Sequence, residues 1–175
     1  ESIAAQKPYD PKQSKRRVLG IDIDIRAHNR QQIESHPFAY LIDMFEGSSI
    51  DPAMIERTRD YAAGFKTVLV SLDSNHTADH VLAELKGYGP IVTEGSYCLV
   101  FDTVVEDLPD DLFPNRPWSQ SNNPKGAVRD FLGLCAAGDI TDLQGAECAF
   151  EIDHELEAKL MVSSAPSGYL RRSPR

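Results

Sequence analysis

The chain has no CxxC pair and only three cysteines, Cys98, Cys135 and Cys148, an odd number that gives no complete disulfide framework. They read as reduced, buried small residues of a cytoplasmic protein. No apolar run approaches the roughly 18 residues of a membrane span, and no secretory leader opens the sequence. Positive charge is also scarce: 18 Lys and Arg against 27 Asp and Glu give a net charge of −9. That disfavours a general nucleic-acid or anionic-membrane surface, because phosphate binding needs a field of the opposite sign. The cations cluster near the ends, at Lys12, Lys15, Arg16 and Arg17 and again at Arg171, Arg172 and Arg175, and read as solvated termini. There is no internal repeat and no low-complexity segment.

What is there suits one domain, residues 1–175, with a sizeable core. Residues 1–15 read as a helical tail and a Pro-containing loop, as though the chain begins inside a domain. Apolar segments at 16–25, 40–47, 66–73 and 96–103 read as strands. Between them, helical patterns fall at about 28–35, at 52–64 and at 77–88, where Val81, Leu82, Leu85 and Tyr88 share one face. Asp51 is placed to cap the second of these, with Pro52 in its first turn and Gly64 at its end. A Pro-, Asp- and Asn-rich loop covers 104–122 and holds the single tryptophan, Trp118. Asn123-Pro124 then starts a helix ending near Gly138, and the last part reads as strand, short helical piece and strand. Alternating strands and helices predict an α/β fold with a mostly parallel sheet.

The clearest strands end in aspartate: Asp22 and Asp24, then Asp73, then Asp102. Ligands of open parallel sheets bind at the carboxyl ends of the strands, so neighbouring strands would gather these carboxylates around one cleft. Each aspartate alone is equally readable as a helix cap. Asp73 and Asp102 are hard oxygen donors with no cysteine nearby, a set that suits Mg2+ better than zinc. His76, one turn beyond Asp73, has the protonation range of a general base. His80 shares its face, and HTADH lacks the glutamate of an HExxH zinc motif, so His80 reads as a packed or Glu84-facing residue. The DxD of "GIDIDI" admits two readings. One is the nucleophile and acid of a haloacid-dehalogenase-type phosphatase, although Asp110-Asp111 sits in a loop and not at a strand end. The other is a ribose-binding acid at a strand end, since a carboxylate accepts two hydroxyls at once.

Six segments, "VLGIDIDIRAHNR", "EGSSIDP", "LDSNHTADHVLAEL", "GSYCLVFDT", "RPWSQSNNPKGAVRDFL" and "FEIDHELEAKLMVSSAPSGYLRR", occur in this order between residues 16 and 172. Together they resemble the cephalosporin hydroxylase family, which includes rhamnosyl and other sugar O-methyltransferases. The resemblance implies a Rossmann-like class I methyltransferase sheet, mostly parallel with an antiparallel carboxyl-terminal strand and helices on both faces. It implies S-adenosylmethionine as methyl donor, a Mg2+ ion, and a small-molecule substrate offering a hydroxyl of a sugar or secondary metabolite. Carried over by position, Asp22 looks like the ribose-binding acid, Ser48 and Ser49 lie at the adenine end, Asp73 and Asp102 look like metal ligands, and His76 is the catalytic base. Phe101 stands where the family generally has glutamate, and phenylalanine cannot ligate a metal. The family's first strand and Gly-rich cofactor loop would precede residue 1. A sheet without them exposes a strand edge, which predicts a homo-oligomer. Other readings stand beside this one: a component of a hydroxylase system, a degenerate relative serving as a binding subunit, and the phosphatase using Asp22.

Overall fold

A computed structural model describes residues 15–174, so the expected tail and loop over residues 1–14 lie outside the described residues. Two compact units divide at Ser49 and Ile50. In the first, β1 (Val18–Asp22), α1 (Ala27–Ser35) and β2 (Ile42–Glu46) form a parallel strand pair with its crossover helix. The register sets Asp22 opposite Glu46, and Gly47 donates its N–H to the Asp22 carbonyl at 2.8 Å. Both strands therefore end at one level, where Arg30 of α1 pairs with Glu46 at 2.7 Å.

The second unit holds α2 (Pro52–Ala62), β3 (Val70–Leu72), α3 (Ala78–Tyr88), β4 (Tyr97–Val100), α4 (Pro124–Ala136), β5 (Phe150–Ile152), α5 (His154–Glu157) and β6 (Tyr169–Arg172). Its strands lie in the order β3-β4-β6-β5; β3 and β4 are parallel, and β6 runs antiparallel to both of its neighbours. The core lies between this sheet and the helices, with Val81 and Leu85 of α3, Val128 and Phe131 of α4, and Cys98, Val100 and Leu170 of the sheet all buried. The three cysteines are buried thiols, as expected. Burial pushes the thiols of Cys98 and Cys135 up to about 12.

Local chemistry explains the element boundaries. Asp51 caps α2 through the Ala53 N–H at 2.7 Å, and Asn123 caps α4 through Gly126 at 3.0 Å. Gly138 ends α4 at φ +78°, the left-handed turn that favours glycine. Gly64, which follows the Ala63 cap of α2, does not take the left-handed conformation and plays no such part.

Two strands are shorter than their apolar runs. Val68 exchanges hydrogen bonds with Thr93 and not with a strand, so β3 starts only at Val70. On β4 the chain turns away after Phe101, and Asp102 takes a left-handed φ of +54° that begins a 3₁₀ turn over Thr103–Asp107. Aspartate tolerates that region better than most residues.

One reading of the termini is corrected. Arg172 is not solvated: it is 5% exposed, and its guanidinium meets the buried Asp142 at 3.0 Å.

Candidate active site

The parallel pairing of β3 and β4 brings together residues 29 positions apart. Asp73 follows directly on β3, and Asp102 stands two residues beyond β4. His76 lies in the turn between β3 and α3, with Nε2 3.2 Å from Asp102 Oδ2. One ligand atom from each of Asp73, His76 and Asp102 lies within 4.8 Å of the others. Such spacing lets one small cation touch all three, and a hard cation needs only one or two carboxylates beside its waters. Phe101 contributes no donor, leaving two carboxylates and one imidazole.

The turn carrying Asp73 and His76 is tied down from several sides. Asn75 Oδ1 accepts from the Thr77 N–H and hydroxyl at 2.9 and 2.8 Å. The hydroxyl of Ser74 donates to Glu84 Oε1 at 2.6 Å. Thr77, at the N-cap of α3, makes no side-chain capping bond. The Ala78 N–H is instead satisfied by Asn122 Oδ1 at 2.8 Å, so the long loop supplies the polar partner at the helix start. His80 faces Glu84 at 3.6 Å, as expected, and lies outside the trio.

The long loop also forms a wall beside the trio. The Trp118 ring meets His76 edge-on, with centroids 4.7 Å apart, and the Arg116 guanidinium lies over Trp118 at 5.1 Å. His76, Asp102, Leu108, Phe113, Arg116 and Trp118 help line an open depression of about 760 Å³. A bidentate pair anchors the start of this loop to α4, with Arg129 donating to both oxygens of Glu106 at 2.7 and 2.6 Å. The guanidinium holds the Glu106 carboxyl below its ordinary range.

Asp22, Ser48 and Ser49 belong to the other unit and form a second group. Asp22 ends β1, and Ser48 and Ser49 follow Gly47 at the end of β2, so all three sit at one end of the strand pair. Asp22 Oδ1 accepts the Asp24 N–H at 2.9 Å; the other carboxylate oxygen retains its capacity to accept. The sequence reading missed Asn122, Arg116 and Glu84. The Asn-rich end of the loop hinted at the first, the i, i+4 spacing marked Glu84 only as a partner of His80, and nothing in the local pattern marked Arg116.

A model of the rhamnosyl O-methyltransferase/CmcI family matches residues 2–173. Curated relatives described as rhamnosyl O-methyltransferase, from Mycobacterium tuberculosis and Mycobacterium bovis, are 37% identical over 135 residues. The aligned stretch is 73% of this chain and 46% of each relative, so the chain spans about half the length of the curated relatives it matches. No solved structure matches. The family resemblance read from the six segments is thus borne out, as is the α/β, Rossmann-like fold it implies, and the chain belongs to the rhamnosyl O-methyltransferase/CmcI family.

Proposed function

We propose that this protein transfers a methyl group from S-adenosylmethionine to a hydroxyl of a sugar or secondary metabolite, assisted by Mg2+. The observation that carries this reading is the meeting of Asp73, His76 and Asp102 beside a depression wide enough for a sugar. Asp73 and Asp102 would hold the metal, and their hard oxygens suit magnesium even without a ligand at position 101. Asp22 would accept the ribose hydroxyls of the methyl donor, with Ser48 and Ser49 near the adenine. When bound, the metal supplies positive charge to a developing alkoxide, and the donor supplies a methyl carbon open to in-line attack.

The chain's own part is to orient the hydroxyl and take its proton. With Nε2–H donating to Asp102, the imidazole of His76 keeps the Nδ1 lone pair free as the base. The Trp118 ring packed against His76 steadies the imidazole, and the wall from Leu108 to Trp118 offers one side of a place for the acceptor. A cytoplasmic location, a single domain over 1–175 and self-association complete the reading. The net charge of −9 supports a partner other than nucleic acid. No helix among the described residues is long and apolar enough to cross a membrane.

The test is methyl transfer from labelled S-adenosylmethionine to a rhamnoside, with Mg2+ and with chelator. His76→Gln lowers kcat by about 10²-fold or more, and Asp73→Asn removes the magnesium dependence. Absence of S-adenosylmethionine binding in calorimetric titration would sink the reading. Phe101, at the position of a family acid, favours one second reading, a non-catalytic relative that binds the same ligands; it predicts binding without turnover.

A further inference from the structure

Position 84 of α3 lies on the buried stripe of Val81, Leu85 and Tyr88, where an apolar residue is expected. Glutamate stands there instead, only 2% exposed. Its Oε1 accepts the Ser74 hydroxyl and lies 3.6 Å from His80 Nε2, whereas Oε2 is buried with no hydrogen-bond partner. Its charge also helps to raise the thiol of buried Cys98 on β4, after the larger effect of burial. A buried carboxylate with one oxygen unpartnered is costly, and an apolar side chain would serve the core better. The one strong contact it makes is to Ser74, the residue that follows Asp73 and precedes His76 by two.

We infer that Glu84 is a positioning residue: its buried carboxylate grips the Ser74 hydroxyl and so fixes the turn that sets Asp73 and His76 opposite Asp102. The inference deepens the proposed function and rests on it for the role of that trio. Thr77 leaves the helix start without a side-chain cap of its own. Apart from the contacts of His76 with Asp102 and Trp118 and those of Asn75 with Thr77, the side-chain bonds that hold residues 73–78 to the rest of the unit run to Glu84 and to Asn122. Releasing the first lets Asp73 and His76 drift from Asp102, and displacements near 1 Å cost about 10²-fold in rate.

The experiment compares Glu84→Leu, which fills the space but accepts nothing, with Glu84→Gln, whose amide oxygen still accepts from Ser74. Two quantities are measured in folded protein: kcat for methyl transfer, and the nuclear Overhauser contact between His76 and the single tryptophan, Trp118. Glu84→Leu should lower kcat by about 10²-fold, leave the KM for S-adenosylmethionine near wild type, and weaken the His76–Trp118 contact. Glu84→Gln should restore most of both losses. Wild-type kcat and an intact ring contact in Glu84→Leu would overturn the inference, as would equal losses in the two variants. If Glu84→Leu does not fold, Ser74→Ala removes the same bond from the exposed side and decides by the same two readouts. If the wild-type protein transfers no methyl group, the proposed function has failed, and the ring contact alone decides the role of Glu84.

Discussion

Gly168 shows how closely one residue can be bound to the site without touching it. Its carbonyl accepts the Val100 N–H at 2.8 Å at the end of β4. A Cβ built on it would lie 2.1 Å from the Val100 carbonyl oxygen, a distance no side chain can occupy. The constraint is a close approach of two backbones, and only glycine permits it. Gly168→Ala must push β4 and the Ala165–Gly168 turn apart, at a cost of about 3 kcal/mol. Val100 is two residues from Asp102, so the strain acts on the carboxylate that faces His76. Thermal unfolding should show a midpoint lower by about 10 °C, with kcat reduced in the protein that remains folded. An unchanged midpoint would mean that the backbone relaxes here at no cost.

At the scale of elements, Asn123 joins the long loop to α4. Only 1% exposed, it caps the helix through Gly126 and donates to the carbonyls of Ser119 and Gln120 at 3.1 and 2.6 Å. Asn123→Ala removes the cap and the side-chain donor to both carbonyls, of which that of Ser119 keeps the Asn122 N–H, about 2–3 kcal/mol in all. Asn123→Asp keeps the cap but loses the donors, so its urea midpoint should fall between that of Asn123→Ala and the wild type. This helix start was legible in the sequence, as was that of α2 at Asp51, because capping chemistry is local. The ends of β3 and β4 were not, because apolar residues report burial and not pairing: Val68 bonds to Thr93, and Phe101 leads into a turn. The site divides in the same way. Asp73 and His76 stand out together within one strand and turn. Their approach to Asp102 depends on β3 and β4 being neighbours, which the strand-end aspartates suggested but could not fix. Glu84 and Asn122 act through folded contacts to Ser74 and Ala78, which the sequence around them does not fix.

At the scale of the whole molecule, the scarcity of positive charge makes the burial of Arg172 informative. A chain of net charge −9 commits one of 18 cations to its interior, although the sequence places it beside the solvated end. Its guanidinium reaches two distant segments. Nη1 donates to the carbonyls of Val92 and Pro90 beyond α3, and Nη2 meets Asp142 at 3.0 Å. Asp142 in turn organises the segment from Ile140 to Cys148, accepting the N–H groups of Gln144 and Ala146 at 2.9 and 3.0 Å. β6, whose last residue is Arg172, lies between β4 and β5, so this one side chain ties the central sheet to the end of α3 and to the segment after α4. Replacing it with methionine keeps much of the volume but removes the guanidinium that faces the buried Asp142 carboxylate. Breaking such a pair from one side costs about 3–5 kcal/mol. Arg172→Met should therefore lower the urea midpoint sharply. Adding Asp142→Asn, which removes the buried negative charge and keeps an acceptor for the turn, should recover part of the loss. If the double variant is no more stable than the single one, the two side chains contribute independently and the tie is steric, not electrostatic.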